Sequence, residues 1–512
     1  MKNKLKYEIV GDHVVITECD ETVKTVNIPE FIENLPVTEI ETEAFYMCQA
    51  LTSVRLPASI TEIGGYEFYN CERLTEIQMA EENPFFKSVD GVVFSKDGKK
   101  LVYFPIFGPE KYRIPDGVME IGEETFYYCS RLASLTIPEG VTKIGKEAFQ
   151  ACTALRSVTI PASLTEIKMP IWAKCVSLAE IQVAEENEVF KSVDGVLFSK
   201  NRKKLIRFGG EPTKYRVPDG VTEIGEYAFY GCKRLVSVTV PASVKKIGEC
   251  AFSECDQLTE IVFFEGVEEI GDYAFSASDQ LSVTIPASVT IIGDGAFTGY
   301  ERQMKIQVST ENPNYKYVDG VLFTKDGKTL LKFMRDDLTD YQIPDGVTKI
   351  GMEAFWRCDN LQSVTFPKNL TEIGGSAFSL CKKLKTAMIP DGVTKIGEWA
   401  FSDCENLTSA TIPASVKRIG DHAFLNCVNL TSATISEGVE EIGEYAFGAC
   451  RKLTSLTIPE SITLMEADIF KFSPNITLFG KKGTCTERYA TENAILFIAK
   501  DDNQRKTNDS CN

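Results

Sequence analysis

A phenylalanine followed three residues later by a cysteine recurs along the chain at a nearly constant step of 23 residues, most strictly in Phe355/Cys358, Phe378/Cys381, Phe401/Cys404, Phe424/Cys427 and Phe447/Cys450. Around that pair each unit reads L-x-S-V-x-I-P-x-S-V-x-x-I-G-x-x-A-F-x-x-C. A fixed apolar skeleton separated by free positions arises when each coil of a chain can bury its apolar side only against neighbouring coils. The aromatic column Phe45, Phe68, Phe126, Phe149, Trp172, Phe229, Phe252, Phe275, Phe297, Phe355, Phe378, Phe401, Phe424, Phe447 and Phe470 predicts about fifteen coils. Ten of its fourteen steps are 23 residues, one is 22, and three are 57 or 58. The long steps carry extra segments that resemble one another, Lys87-SVDGVVFSKDGKKLVYF, Lys191-SVDGVLFSKNRKKLIRF and Lys316-YVDGVLFTKDGKTLLKF, so the insertion is itself a repeat.

Within one coil, Leu361, Val364 and Phe366 are expected to face inward, and Pro367 ends the strand because it cannot donate to the next ladder bond. Leu370 and Ile373 then turn to the core, and Gly374 is expected to supply a positive φ for the turn into a short helical corner around Ala377 and Phe378. Stacking such coils predicts a single right-handed, curved solenoid with a parallel strand ladder on one face, short helical corners and three β-hairpin insertions. Each hairpin is read from two alternating runs, Val92-Val93-Phe94 and Lys100 to Phe104 in the first copy, flanking Asp97-Gly98. The second copy has Asn201-Arg202 there, so its turn is expected to differ. The boundaries are an N-terminal β cap over 1–36, coils over 37–474 with insertions at about 81–115, 185–218 and 310–344, a C-terminal cap over 475–502 and a disordered tail over 503–512.

With L-x-x-V-x-I-P and I-G-x-x-A-F-x-x-C recurring over roughly residues 37–480, the chain resembles the BspA-type leucine-rich repeat family, a bacterial and protozoan class with 23-residue coils. The V-D-G-V-L-F segments at Val89, Val193 and Val318, the opening Tyr7-EIVGDHVVIT and the closing Gly480-KKGTCTERYATENAILF also resemble segments that accompany this family. The resemblance implies a leucine-rich repeat solenoid with an interaction surface, often exposed at the cell surface and used for adhesion to cells, matrix proteins or receptors. The opening Met1-KNKLKYEIVGDHVVITE has no apolar run of the length a secretory signal needs, which makes the cytoplasm the simplest expectation. Secretion or surface display, implied by the resemblance, is the alternative.

The excess of 73 Asp and Glu over 55 Lys and Arg gives a formal charge of −18, which disfavours nucleic acid and anionic membrane as partners. No stretch approaches a membrane span. Twelve of the sixteen cysteines share the position three after the aromatic column, a position that also accepts Ser278, Tyr300 and Ser473. They are read as buried, reduced thiols packing as small hydrophobes, not as disulfides or metal ligands. No cofactor is expected. His13 and His422 lie far apart in sequence, and His422 is expected to be a solvated surface residue. No phosphate-cradling loop, H-E-x-x-H or nucleophile elbow occurs, so the chain is not expected to be an enzyme.

The exposed positions of the strands are repeatedly Ser and Thr, as in Ser134 and Thr136, Ser363 and Thr365, and Ser409 and Thr411. They make either a docking strip of hydroxyls or simply a well-formed sheet surface, since Thr suits exposed strands and Ser/Thr pairs bond across them. Glu76 and Gln78, Glu180 and Gln182, and Glu260 break this pattern and are candidate partner-binding residues, together with Asp97 and Asp326 at the hairpin tips. The structural alternative is that the strand residues accommodate neighbouring irregularities and the hairpins are spacers. The expected function is a non-enzymatic interaction scaffold that binds another macromolecule through its repeat surface, with a surface adhesin as the further reading from the resemblance. The partner is expected to be a protein, of a host or a second copy, or a glycan, and the chain a monomer. The alternatives are a structural repeat protein without a dedicated partner and, weakest, a glycan-active enzyme using paired carboxylates.

Overall fold

The structure, a computed structural model, describes residues 5–210, 212–299 and 303–500, so the tail over 503–512 lies outside the described residues. The chain divides into two compact units, one up to Leu281 and one from Ser282.

The first unit opens with Leu5–Val10 and His13–Cys19 paired antiparallel; His13–Cys19 also pairs in parallel with Leu35–Ile40. Thr25–Asn27 then starts a parallel ladder with Ser53–Leu56 and Glu76–Met79. Beyond the first insertion a new parallel sheet of the long ladder runs through Lys111–Arg113, Ser134–Thr136, Ser157–Ile160 and Glu180–Val183. Its register is one repeat per rung, Ser134 opposite Ser157 and Leu135 opposite Val158, so like positions stack into columns. A second ladder, which the sequence did not announce, consists of the two-residue strands Glu120–Ile121, Lys143–Ile144 and Glu166–Ile167. Leu135, Val158, Ile121 and Ile144 of the two ladders are buried in one core with Phe126 and Phe149.

The aromatic column closes that core. Ring centroids are 4.7 Å apart for Phe229 and Phe252, and in the second unit 4.7 Å for Phe355 and Phe378 and 5.2 Å for Phe378 and Phe401. These spacings follow the separation of neighbouring strands, about 4.8 Å, because the rings ride on coils stacked at strand distance. The cysteine column does more than fill space. Most of its thiols donate to the carbonyl of the column aromatic one coil earlier, as Cys71 does to Phe45 at 3.0 Å, Cys152 to Phe126 at 3.1 Å and Cys404 to Phe378 at 3.2 Å. Ser278 and Ser473 make the same bond, to Phe252 at 2.6 Å and Phe447 at 3.1 Å, which explains why serine is accepted there.

The corners are not helical. The amides of Ser376, Phe378 and Leu380 donate to the carbonyls of Glu398, Ala400 and Ser402 in the next coil at 2.7–2.8 Å, while those of Ala377, Ser379 and Cys381 close tight turns onto Gly374, Ser376 and Phe378. A helix would send every amide along its own axis; here alternate amides point sideways into the neighbouring coil. Ser376 and Leu380 hold the positive φ values this requires, 50° and 59°. Gly374, expected to supply one, does not. It is glycine because a Cβ there would sit 2.7 Å from the carbonyl carbon of Gly351 and the amide of Met352. The requirement is for close approach of two backbones. Among the described residues, the α-helix is Cys485–Glu492.

Each insertion is a three-stranded antiparallel meander and not a single hairpin. In the first, Phe86–Val89, Val92–Ser95 and Lys100–Tyr103 pair in order, and the last strand continues the short ladder onto Glu120–Ile121. The extra turn is Asp90-Gly91, with φ of 49° and 80°, the backbone a two-residue hairpin loop demands. The same topology recurs in Phe190–Val193, Val196–Ser199 and Lys204–Arg207, and in the second unit in Tyr315–Val318, Val321–Thr324 and Thr329–Phe333. A fully buried asparagine anchors each entry: Asn83 donates to the carbonyls of Ala58 and Ile60 and accepts from the amides of Phe85 and Phe86. The meanders also extend the aromatic column, with Phe104 4.8 Å from Phe126, Phe208 5.0 Å from Phe229 and Phe333 4.9 Å from Phe355. They are modified coils built into the stack.

The turn of the second copy, expected to differ, is the same as the others. The Arg202 amide donates to the Ser199 carbonyl at 2.8 Å, as Gly98 does to Ser95. Arg202 takes the positive φ, 56° against 77° for Gly98, and Asn201 accepts from the Ser199 hydroxyl and the Lys203 amide as Asp97 does from Ser95 and Lys99. The side-chain bonds fix the turn, so glycine is dispensable.

The second unit ends with Thr477–Gly480 paired in parallel to both Ser455–Thr457 and Leu496–Ala499. The intervening helix lays Tyr489 against Phe470, with ring centroids 6.2 Å apart.

Candidate functional site

The long ladder presents one outward face, and its register decides what that face displays. In the first unit Lys111, Ser134, Ser157 and Glu180 form one row and Arg113, Thr136, Thr159 and Gln182 the next. A second block repeats the order with Lys214, Ser237 and Glu260 in one row. In these two blocks uncharged hydroxyl rungs are bracketed by a basic rung on one side and an acidic one on the other; in the second unit Ser363 instead faces Asp340, and Thr386, Ser409 and Ser432 form an uncharged row. Glu180 and Gln182 are exposed and bonded to each other, Gln182 Nε2 donating to Glu180 Oε1 at 2.7 Å. Glu260 is exposed opposite Ser237. Gln78 is exposed opposite Arg55, while Glu76 is half-buried opposite Ser53. The Cβ of Glu76 faces Gly91, where any side chain would clash with it, and the Ile77 amide donates to the Gly91 carbonyl at 3.0 Å. The meander turn therefore takes the place of the next rung there.

Asp97 and Asp326 sit exposed at the meander tips with their carboxylates turned into their own loops. Asp97 accepts from the Ser95 hydroxyl at 2.7 Å and the Lys99 amide at 3.0 Å, and these bonds hold its carboxyl below the usual range. The Lys328 amide and the Thr324 hydroxyl do the same for Asp326. The candidate residues do not converge on one cluster: the glutamates and glutamines belong to the long ladder, and the aspartates to turns of meanders that extend the short one.

Three features escaped the sequence reading. His422 is not solvated but stacked between Trp399, 3.9 Å away, and Tyr445, 5.1 Å away, within 8° of parallel. These residues all stand two before the aromatic column, so the 23-residue spacing that revealed the phenylalanines also carried this second stack. In the first unit Tyr66 donates to Glu147 at 2.7 Å, beside Glu124, whose carboxyl is pushed up to about 7 by burial and by the Glu147 charge. Thirdly, Arg207 ends its meander strand with only 3% of its surface exposed. Its signal was a lone arginine between Ile206 and Phe208 in an apolar strand. Among the described residues, no group of His, Cys, Asp and Glu is placed to hold a metal ion, and no helix is long and apolar enough to cross a membrane.

A stack of parallel-strand coils with very little helix, each coil built on a leucine-rich consensus, is the architecture of the leucine-rich repeat proteins. The model of the BspA type leucine-rich repeat region matches residues 18–106, 108–214, 211–303, 332–447 and 417–488, and the chain belongs to that family. No curated protein matches the chain significantly. Among solved structures, a leucine-rich repeat protein from Eubacterium ventriosum is similar at 27% identity over 56% of this chain and 92% of its own, with a TM-score of 0.44. A leucine-rich cell surface protein from Faecalibacterium prausnitzii is similar at 24% identity over 85% of this chain and 93% of its own, with a TM-score of 0.33. A leucine-rich repeat protein from Bacteroides ovatus is similar at 21% identity over 93% of this chain and 98% of its own, with a TM-score of 0.26.

Proposed function

We propose that the chain is a non-enzymatic scaffold that binds another macromolecule through the outward face of its long ladder. The observation that carries this reading is the ordered charge of that face, with hydroxyl rungs bracketed by Lys111 and Glu180 in one block and by Lys214 and Glu260 in the next. Solubility alone would be served by charges scattered over every rung; bracketed blocks give a partner a register to read. The acidic rungs favour a protein partner with basic groups at matching intervals. The meander tips contribute less, because Asp97 and Asp326 are already engaged in their own turns.

The test is capture from the source cells by the full chain, compared with a variant carrying Glu76→Ala, Glu180→Ala and Glu260→Ala and with one lacking the tips at Asp97-Gly98 and Asp326-Gly327. Loss of a specific captured protein with the glutamate variant alone supports the strand face. Undiminished capture by the glutamate variant removes that face from consideration, and turnover of sugars or esters by the purified chain overturns the non-enzymatic reading.

A further inference from the structure

The second meander leaves open a space that the first one fills. After Phe104 the first copy continues with Ile106, which is buried, and Phe107, which lies under the Arg131 guanidinium at 4.0 Å. After Phe208 the second copy continues Gly209, Gly210, Glu211 and Pro212, with glycines where the first copy has Pro105 and Ile106; Glu211 lies outside the described residues. A cavity of about 420 Å³ opens there in the first unit, lined among others by Arg156, Arg207, Lys233 and Arg234, with no Asp or Glu among the described lining residues. Four cationic groups converge in a chain whose net charge is −18. Lys233 lies 3.7 Å from Asp256, and Arg234 has a partner of its own, so these two contribute mainly to the field of the cavity.

Arg207 is the decisive residue. Its Nη1 donates to the carbonyls of Tyr227 and Tyr230 at 2.8 and 3.1 Å, while its Nε is buried without a partner. Capping a carbonyl does not require a guanidinium: at the same place in the third meander, Lys332 donates from Nζ to the Glu353 carbonyl at 2.9 Å. What arginine adds is the rest of the planar fork, and leaving a buried donor of that fork unmet is unfavourable unless an acceptor arrives. Such a fork, in a cavity that the exposed Arg156 also lines, offers donors to the oxygens of a tetrahedral oxyanion.

We propose that this cavity binds a phosphate or sulfate monoester of a small organic molecule. The oxyanion meets Arg207 and Arg156, and the organic part rests on the apolar lining formed by Val176, Leu178, Phe208 and Leu235. The volume exceeds that of a bare oxyanion and suits a group of about monosaccharide size. The site is independent of the strand-face reading and can stand if that reading fails.

The full chain is titrated calorimetrically at low salt with inorganic phosphate, glucose 6-phosphate, N-acetylglucosamine 6-sulfate and, as a neutral control, glucose. Saturable one-to-one binding of the esters and none of glucose is expected, and the stronger of the two esters tells a free phosphometabolite from a sulfated glycan terminus. Arg207→Lys keeps the carbonyl cap, as Lys332 does, and is expected to preserve the thermal midpoint while weakening ester binding about tenfold or more. Arg156→Glu, at an exposed position, is expected to weaken it at least as much and decides the matter should Arg207→Lys fold poorly. Absence of saturable binding by every anion, or binding unchanged in both variants, overturns the proposal.

Discussion

Replacing Cys404 separates two accounts of the cysteine column. If the thiol is only a small hydrophobe, valine should serve nearly as well and serine should be worst, because it buries a hydroxyl. The structure argues the reverse order. Cys404 is fully buried and donates to the Phe378 carbonyl at 3.2 Å, a bond that Ser278 and Ser473 reproduce at their own positions. Cys404→Ala removes the donor and leaves a void of about 25 Å³, worth roughly 0.6 kcal/mol at about 24 cal/mol per Å³. Adding the lost transfer energy of the sulfur and about 0.5–1 kcal/mol for the bond gives a loss of about 2 kcal/mol. Cys404→Val avoids the void but loses the donor and crowds a tight turn, for about 1–3 kcal/mol. Cys404→Ser keeps the donor and should lose less than about 1 kcal/mol. Urea unfolding read by the fluorescence of Trp399, which stands in the same coil, with hydrogen exchange over residues 378–427 as the local check, ranks the three. A valine variant as stable as the parent, with serine the least stable, would refute the donor role.

Phe401→Ala should lower local stability by about 3–5 kcal/mol, whereas Thr411→Ala on the half-exposed strand face should lose under about 1 kcal/mol; coincident urea midpoints would mean that the faces are misassigned. Glu124 titrates near 7 in the folded chain against 4.5 for its unperturbed side chain, so its contribution is present at acid pH and lost as pH rises through about 7. Glu124→Gln should therefore stabilise the chain at about pH 8, by about 1 kcal/mol once its partial exposure is allowed for, and the gain should vanish by about pH 4; a gain equal at both ends would remove the carboxyl as its source. Burial pushes the column thiols up, Cys71 and Cys450 each to about 12, so native protein at about pH 8 should react with few equivalents of a thiol reagent and urea-unfolded protein with nearly all, counted by mass.

The coil and its columns were legible because a period of 23 residues projects directly onto register: a step equal to one rung puts Ser134 opposite Ser157 and Phe378 on Phe401. The corner was not, because the left-handed backbone there falls on Ser376 and Leu380, residue types that do not advertise it, while the glycine that drew attention serves a backbone contact one coil away. The first strand of each meander was hidden in plain sight, its Asp90-Gly91 turn lying close before the Asp97-Gly98 turn that claimed the hairpin. Of the candidate residues, strand periodicity placed Glu180 and Gln182 on one outward face, yet it could not show that the Asp97 and Asp326 carboxylates are spent on their own loops. The Arg207 cavity depended on what Gly209 and Gly210 fail to fill, and a sequence does not display empty space.

The sideways amides of the corners have an electrical consequence. In a β-ladder peptide dipoles alternate and largely cancel, but Tyr227, Phe229 and Gly231 all donate forward, to Glu249, Ala251 and Ser253, as Ser376, Phe378 and Leu380 do in the second unit. Their dipoles add along the stack as they do along a helix, leaving bare carbonyls at its leading edge and bare amides at its trailing edge. The chain answers at both poles. Arg207 places positive charge on the carbonyl of Tyr230, the leading counterpart of the acceptor Ser253, just where a meander has interrupted a corner, and the phenolic oxygen of Tyr489 meets the trailing amides of Ile469 and Phe470. The meanders carry this series across each break, the amides of Phe104, Phe208 and Phe333 donating to the leading carbonyls of Thr125, Ala228 and Ala354, so a run of corners can begin after a meander without leaving that carbonyl bare.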